Sequence, residues 1–403
     1  MDPHDPARAA MRARPVAWRL SFAAALALMM GTGTYAGYAF GVLGPDLVVE
    51  FDLSRFELGA ITATFFLVGG PLSLLAGPAT DRFGARRLML IAFALAAAAI
   101  GAMALAPSYL AFLAAAALAG LALAAGNPVT NKLVAIHVAP GGRGLIMGGK
   151  QSGVQVAAFL TGALLAPVAV AVGWRTAFGW SALVPLAGVI VALLAVPRDP
   201  PEPAGPTGEA ASGPLPASVY WLAAYAFLMG SGVATINAYL PLYLVERAGA
   251  TQELAGGVAA TVGLVGIGSR IAWGWGSERM RGYALPLLLL GAGAVVAILL
   301  VLAVERAGLW LAWPAAALLG ATAVTWNSVG MLAVITSSGA GMAGRASGVV
   351  VFGFYIGFVA SPVAFGWLVD RTDGYASAWL LVAGIFALTT VVIGAWRRSE
   401  AGR

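Results

Sequence analysis

The chain has no cysteine, and only 40 of its 403 residues are charged. Without cysteine there is no disulfide, no thiol chemistry and no thiolate-held metal. The sequence also lacks a phosphate-cradling glycine loop, a metal-ligand cluster and a nucleophile triad. An enzymatic reading therefore has no residues to stand on, and no cofactor is implied. Acidic residues number 17 against 23 lysines and arginines, a balance that raises the question of a nucleic-acid partner. The placement of those cations answers it below.

What fills the chain instead is apolar. Hydrophobic residues make up 60 %, and mean hydropathy is +0.88. Twelve apolar runs can be marked: 18–43, 57–79, 87–106, 108–135, 144–168, 176–196, 219–245, 254–276, 283–304, 309–336, 345–369 and 376–396. Each is about as long as a helix needs to cross a bilayer core of about 30 Å. They lack the two-residue alternation of barrel strands, so they predict helices. The fold class is therefore all-α integral membrane, with the lipid bilayer as its surroundings. Run 1 follows a basic segment (Arg8, Arg12, Arg14, Arg19) but is much longer than a signal-peptide core, and is expected to be a retained span.

With the N-terminus inside, 15 Lys/Arg fall in inner segments (counting Arg19, Arg87 and Arg345 at the inner ends of their runs), 3 deeper within runs, and 5 outside: Arg55, Arg175, Arg247, Arg306 and Arg371. This is the positive-inside bias, and it predicts that both termini are cytoplasmic. The basic balance is topology, and no nucleic acid is expected.

Residues 197–218 hold seven prolines and no apolar run, which predicts a flexible cytoplasmic linker. The expected organisation is a tail (1–17), a six-helix half (18–196), the linker, a second six-helix half (219–396) and a tail (397–403). Two short repeats agree with duplication. "GPATDR" (77–82) ends run 2 as "GWGSER" (274–279) ends run 8. "GGRGLIMGG" (141–149) opens run 5 as "AGRASGVV" (343–350) opens run 11.

The turn after run 2 reads "GPATDRFGARR" (77–87). It resembles the signature of the major facilitator superfamily: Gly77, Asp81, Arg82, Gly84, Arg86 and Arg87 match, while Ala85 stands where a basic residue is usual. With twelve runs and a 6+6 division, the resemblance covers the whole chain. It implies a cytoplasmic latch, formed by these residues with Glu278, Arg279, Arg143 and Arg345, that ties the halves together. It implies a monomer as well. A second Gly-x-x-x-Asp-Arg, in "GWLVDRTDG" (366–374), ends run 11 on the opposite side, and Asp370 and Arg371 are read there as an exterior helix cap.

Three cations lie deeper inside runs: Lys132 in run 4, Lys150 in run 5 and Arg270 in run 8. A cation at the bilayer centre costs about 2.5–3.5 kcal/mol or more, so each is expected to face protein or a watery cavity. In the superfamily fold all three belong to cavity-lining spans, with Lys150 and Arg270 on neighbouring spans of opposite halves. The setting of Arg270, "GIGSRIAWGWGSER", resembles the span 8 arginine of monocarboxylate and oxalate-type porters. No lysine in run 11 matches the second cation of the oxalate type. Neutral polar groups accompany the cations. Asn127 and Asn131, and likewise Gln151 and Gln155, are four residues apart and share helix faces. Tyr35, Tyr38, Asn237, Tyr239, Trp326 and Asn327 complete the candidate substrate-binding set.

The resulting expectation is a secondary transporter in the inner membrane that moves a small organic anion, first of all a carboxylate, by alternating access. The coupling is proton symport or anion exchange. The alternative is a proton-driven exporter of drugs or metabolites, although "FLTGALLAP" (159–167) matches the exporter signature poorly and no embedded acid is present.

Overall fold

The computed structural model describes residues 16–138, 143–198, 214–277, 279–280, 282–338 and 342–401, and all the regular structure among them is helical. Most of the linker predicted at 197–218 lies outside the described residues. Twelve helices are long and apolar enough to cross a membrane: spans 1 (Ala17–Val42), 2 (Arg55–Phe83), 3 (Ala85–Ala104), 4 (Tyr109–His137), 5 (Ile146–Val172), 6 (Trp174–Ala195), 7 (Ala217–Ala248), 8 (Gln252–Ser277), 9 (Ala284–Ala307), 10 (Leu309–Ser338), 11 (Gly344–Thr372) and 12 (Ala376–Arg398). Their ends fall within a few residues of the apolar runs. Taken as consecutive membrane crossings, the spans assign the turns after even-numbered spans to the side on which span 1 begins, called the near face, and those after odd-numbered spans to the other side, called the far face.

The tightest turns rest on glycine. Gly84 (φ +89°) and Gly173 (φ +85°) each separate two spans by a single residue, in backbone geometry that a side chain would strain. Span 2 starts with a reciprocal cap. Ser54 Oγ accepts the Glu57 amide at 3.2 Å, and the Glu57 carboxylate accepts the Ser54 amide at 2.9 Å and its hydroxyl at 2.8 Å. A short helix, Gly44–Phe51, fills the far-face turn between spans 1 and 2.

The contacts divide the chain into two compact units. The first takes its described residues from Met1–Ala36, Leu67–Ala157 and Ala171–Ala204. Its core packs Phe22, Leu26 and Met29 of span 1 with Met89 and Phe93 of span 3 and Val129 and Leu133 of span 4, around alanines 25, 85, 92 and 192. Spans 1 and 5 meet backbone to backbone. A Cβ on Gly31 would lie 2.8 Å from the Gly153 carbonyl oxygen, and one on Gly153 would overlap the Ala27 carbonyl.

The second unit comprises Gly37–Phe66, Ala158–Val170 and the described residues of Gly205–Arg403. It therefore contains the far-face ends of spans 1, 2 and 5 together with spans 7–12. Span 7 runs through it, with 72 % of its apolar window buried against 28 % for span 6 of the first unit. Tyr225 and Tyr243 of span 7 donate to the Leu287 and Val301 carbonyls of span 9 at 2.8 and 3.1 Å. Gly41 packs on the Asn237 carbonyl of span 7, and Gly162, in a π-helical turn at Thr161–Leu165, packs on the Gly256 carbonyl of span 8. Span 10 is interrupted by a 3₁₀ turn at Ala323–Thr325, where the α-helical bonding changes register.

Candidate functional site

In the first unit the structure gathers three of the predicted polar residues, Asn127, Asn131 and Gln151, around the ammonium of a fourth, Lys150. Lys150, 1 % exposed, donates to Asn131 Oδ1 at 2.5 Å, Thr130 Oγ1 at 2.8 Å and Asn127 Oδ1 at 3.4 Å. Gln151 Nε2 donates to the same Asn127 oxygen at 3.2 Å. The shared face of Asn127 and Asn131 is the reason: one helical turn apart on span 4, they reach the same partner on span 5. All three acceptors are neutral, and among the described residues no carboxylate lies within 4.0 Å of Lys150. Thr130 escaped the sequence reading, since a lone threonine in an apolar run looks like helix filling. Gln155 is buried on the same helix as Lys150. Tyr35 is placed elsewhere in this unit, sharing a 2.5 Å hydrogen bond with Ser181 and stacking on Phe178.

Lys132 goes to the near face. Its ammonium is 3.1 Å from the Asp81 carboxylate and 3.4 Å from the Thr80 carbonyl, so one predicted substrate-binding residue is joined to one predicted latch residue. The other residues of the predicted latch are scattered in environment. Arg82 lies over the Phe83 ring at 5.3 Å, Arg86 donates to the Leu193 carbonyl at 2.7 Å, and Arg87 is exposed. A Cβ on Gly77 would meet nothing within 4 Å. Arg279 lies over the Trp275 ring at 3.6 Å, and Arg345 is exposed. Glu278 and the side chain of Arg143 lie outside the described residues.

In the second unit, half-buried Arg270 donates to the Val324 carbonyl at 3.1 Å and interacts electrostatically with Tyr38. The interrupted stretch of span 10 supplies this acceptor, and one turn away the Ala321 carbonyl accepts the Trp273 indole at 2.9 Å. Backbone acceptors made available by a broken helix leave no side-chain signature, and the sequence reading missed them. Trp326, on the same stretch, is 3 % exposed between Tyr225 (centroids 6.0 Å apart) and Phe354 (5.3 Å). Asn327 and Asn237 are half-buried.

Tyr239 is fully buried near the far face. Its hydroxyl donates toward two carbonyls, Arg55 at 2.5 Å and Pro362 at 2.9 Å, and so braces span 2 against span 11. Around it lies a network that the sequence reading did not assemble. Asp370 accepts the Arg55 amide at 2.9 Å and the Phe56 amide at 2.8 Å, so it does cap a helix, but the helix is span 2 and not its own. The Arg55 guanidinium pairs with Glu246 at 2.6 Å, and Tyr375 donates to the second Glu246 oxygen at 2.7 Å. Burial, reinforced by the Glu246 charge, holds the Tyr375 phenol above its ordinary range, so it stays a donor. Nearby, Gln252 donates to Asp46, and burial raises the Asp46 carboxyl above the usual carboxylate range.

Comparison with known proteins assigns this architecture. A family model described as Major Facilitator Superfamily matches residues 20–362. The chain belongs to the Major Facilitator Superfamily. With its twelve spans it is a multi-pass membrane protein. It is 32 % identical over 267 residues to the probable nitrate/nitrite transporter NarK2 of Mycobacterium tuberculosis H37Rv, an alignment covering 60 % of this chain and 63 % of that relative. It is 27 % identical over 156 residues to the hexuronate transporter of Bacillus subtilis 168, covering 39 % and 36 %. These superfamily relatives are transporters, not enzymes. Among solved structures, a bacterial homologue of the human lysosomal transporter Spinster, in an inward-facing and occupied conformation, superposes with a TM-score of 0.75 at 16 % identity, over 96 % of this chain and 98 % of that one. A D-xylose-proton symporter gives 0.76 at 14 % identity, over 93 % and 97 %. At such identities these structures establish the superfamily fold.

Proposed function

We propose that the protein is a secondary transporter of the cytoplasmic membrane that moves a small anion, with a carboxylate the first candidate. It works by alternating access of two six-helix halves, 18–196 and 219–396, with both termini cytoplasmic. The observation that carries this reading is the Lys150 ammonium, buried among neutral oxygens with no described carboxylate within ion-pair reach. A positive charge held in that way offers electrostatic stabilisation to an incoming anion. Arg270 adds a planar guanidinium suited to a carboxylate or another flat oxyanion. Its hydrogen bond to the Val324 carbonyl fixes one arm of the fork. The transport of nitrate/nitrite and of hexuronate by two relatives supports the anionic class. Coupling is to a co-transported proton or to a counter-anion. Monomeric action is the superfamily default, carried over from the sequence resemblance.

The nitrate/nitrite relative favours a second reading, in which the substrate is a flat inorganic oxyanion. Thermal unfolding of the detergent-purified protein with nitrate, nitrite, lactate and glucuronate separates the two. Ligand binding only the folded state contributes about 2.7 kcal/mol at a hundred times its dissociation constant. The expected outcome is an anion-dependent rise in melting temperature that Lys150→Gln and Arg270→Gln each abolish. A rise only with lipophilic cations replaces this reading with the exporter.

A further inference from the structure

The far-face network has a sequence counterpart. Gly366-Trp-Leu-Val-Asp370-Arg371 repeats the Gly-x-x-x-Asp-Arg spacing of Gly77-Pro-Ala-Thr-Asp81-Arg82, at the end of a different span and on the opposite face. The two copies stand in different states. A Cβ on Gly77 would meet nothing within 4 Å, whereas one on Gly366 would overlap the Arg55 carbonyl and lie 2.5 Å from the Tyr239 hydroxyl. The near-face acid, Asp81, pairs with Lys132 of its own unit. The far-face acid, Asp370, places its two oxygens on successive amides of span 2.

We infer that the Gly366–Arg371 end of span 11 is a far-face latch: Asp370 grips the N-terminus of span 2 and holds the far-face ends of spans 1 and 2 on spans 7 and 11. The inference rests on the alternating-access part of the proposed function and is independent of the substrate.

Four features separate a latch from simple helix capping. The span's own Ser54–Glu57 cap serves only the Ser54 and Glu57 amides, and the Arg55 and Phe56 amides go to a carboxylate 315 and 314 positions away on another span, so this end of span 2 is completed by a bond between spans. A carboxylate on two amides at a helix N-terminus gains from both the charge-assisted bonds and the helix dipole, and both gains vanish once the helices part. Close approach is built in: Gly366 admits the Arg55 carbonyl, and Gly59 admits the Pro362 carbonyl. Finally, the Arg55 side chain is held by Glu246 of span 7, which Tyr375 orients, so span 2 is tied to two spans at once. Below these polar contacts Phe66 packs on Phe358 (centroids 4.3 Å apart) and closes the seam with apolar surface.

The absence of cysteine makes the test direct. Val49 on the short helix is 84 % exposed, and Ala307 at the far end of span 9 is exposed, so cysteines at these two positions accept spin labels without competing thiols. The distance distribution between the labels is recorded by pulsed electron-electron resonance, on the full chain in nanodiscs without substrate. Asp370→Asn, nearly isosteric, is expected to raise the population of a longer distance by about tenfold, since one of the two charge-assisted bonds becomes neutral and the other is lost to an NH2 group that cannot accept. Gly366→Ala, which wedges a methyl group against backbone, is expected to do the same and carries the test alone if D370N does not purify. Unchanged distributions in the variants that purify overturn the latch. Opening in the variants, in a protein that no anion stabilises, supports the latch while removing the anion reading.

Discussion

Lys150 shows how much a single residue can say and how much it withholds. A lysine inside an apolar run marks itself, and two asparagines at helical spacing on another run mark the side of span 4 that receives it. The third ligand, Thr130, and the fact that no described carboxylate completes the set follow only from the fold. The ammonium is costly where it sits, because burying a charge without a counter-charge costs several kcal/mol even after hydrogen bonding. Lys150→Met is therefore expected to leave the melting temperature of the unliganded protein unchanged or higher while removing its anion-dependent rise. Thr130→Val, which removes only an acceptor, is expected to cost about 1 kcal/mol. Thermal unfolding with and without anion measures both. Asp46 carries the same argument to an acid. Burial raises its carboxyl, so the folded state holds the proton more tightly than the unfolded chain, and stability declines as pH rises above the ordinary value of about 3.9. Asp46→Asn keeps an acceptor for Gln252 and removes the charge. It is expected to raise the melting temperature at pH 7, with a gain that shrinks toward pH 4.

Among the helices, the spans themselves were legible because twenty or so apolar residues leave a bilayer-crossing helix as the one economical structure. Their seams were not. Which glycines accept a neighbouring backbone depends on rotation about each helix axis, which the 53 glycines do not announce. Gly153 and Gly148 lie five residues apart on span 5, the first against the Ala27 carbonyl and the second with nothing within 4 Å of its Cβ direction. Gly153→Ala is expected to destabilise by about 1–3 kcal/mol through overpacking, and Gly148→Ala to stabilise by a few tenths of a kcal/mol to about 1 through helix propensity. Chemical denaturation in the same detergent separates the two signs. The 3₁₀ interruption of span 10 was equally hidden. Neither proline nor glycine marks Ala323–Thr325, yet the interruption sets the carbonyls that receive Arg270 and Trp273.

At the scale of the molecule, the length and number of the apolar runs carried the architecture, while long-range pairing carried what they could not. Arg55 meets Glu246 across 191 positions and Asp370 across 315, separations at which no local pattern survives. The second Gly-x-x-x-Asp-Arg was visible as a string, but its partner helix was not, so it read as a cap for its own span. The proposed orientation has its own check. A green fluorescent protein fused after Arg403 is expected to fluoresce, and alkaline phosphatase fused after Leu105, in the turn between spans 3 and 4, to be active. The reverse pair of results inverts the topology.

Span 6 turns Leu183, Val184, Leu186, Ile190, Leu193 and Leu194 outward, and fewer than a third of its apolar window is covered by protein. Its 22 residues are about 33 Å of helix, close to the thickness of the hydrocarbon it must match. A helix so little buried by its neighbours presents most of its length to the acyl chains around it. The bilayer therefore becomes a mechanical input to this protein. Shorter or longer lipids press first on span 6, and through the hydrogen bond from Arg86 to its Leu193 carbonyl they pull on the near-face turn that carries Asp81.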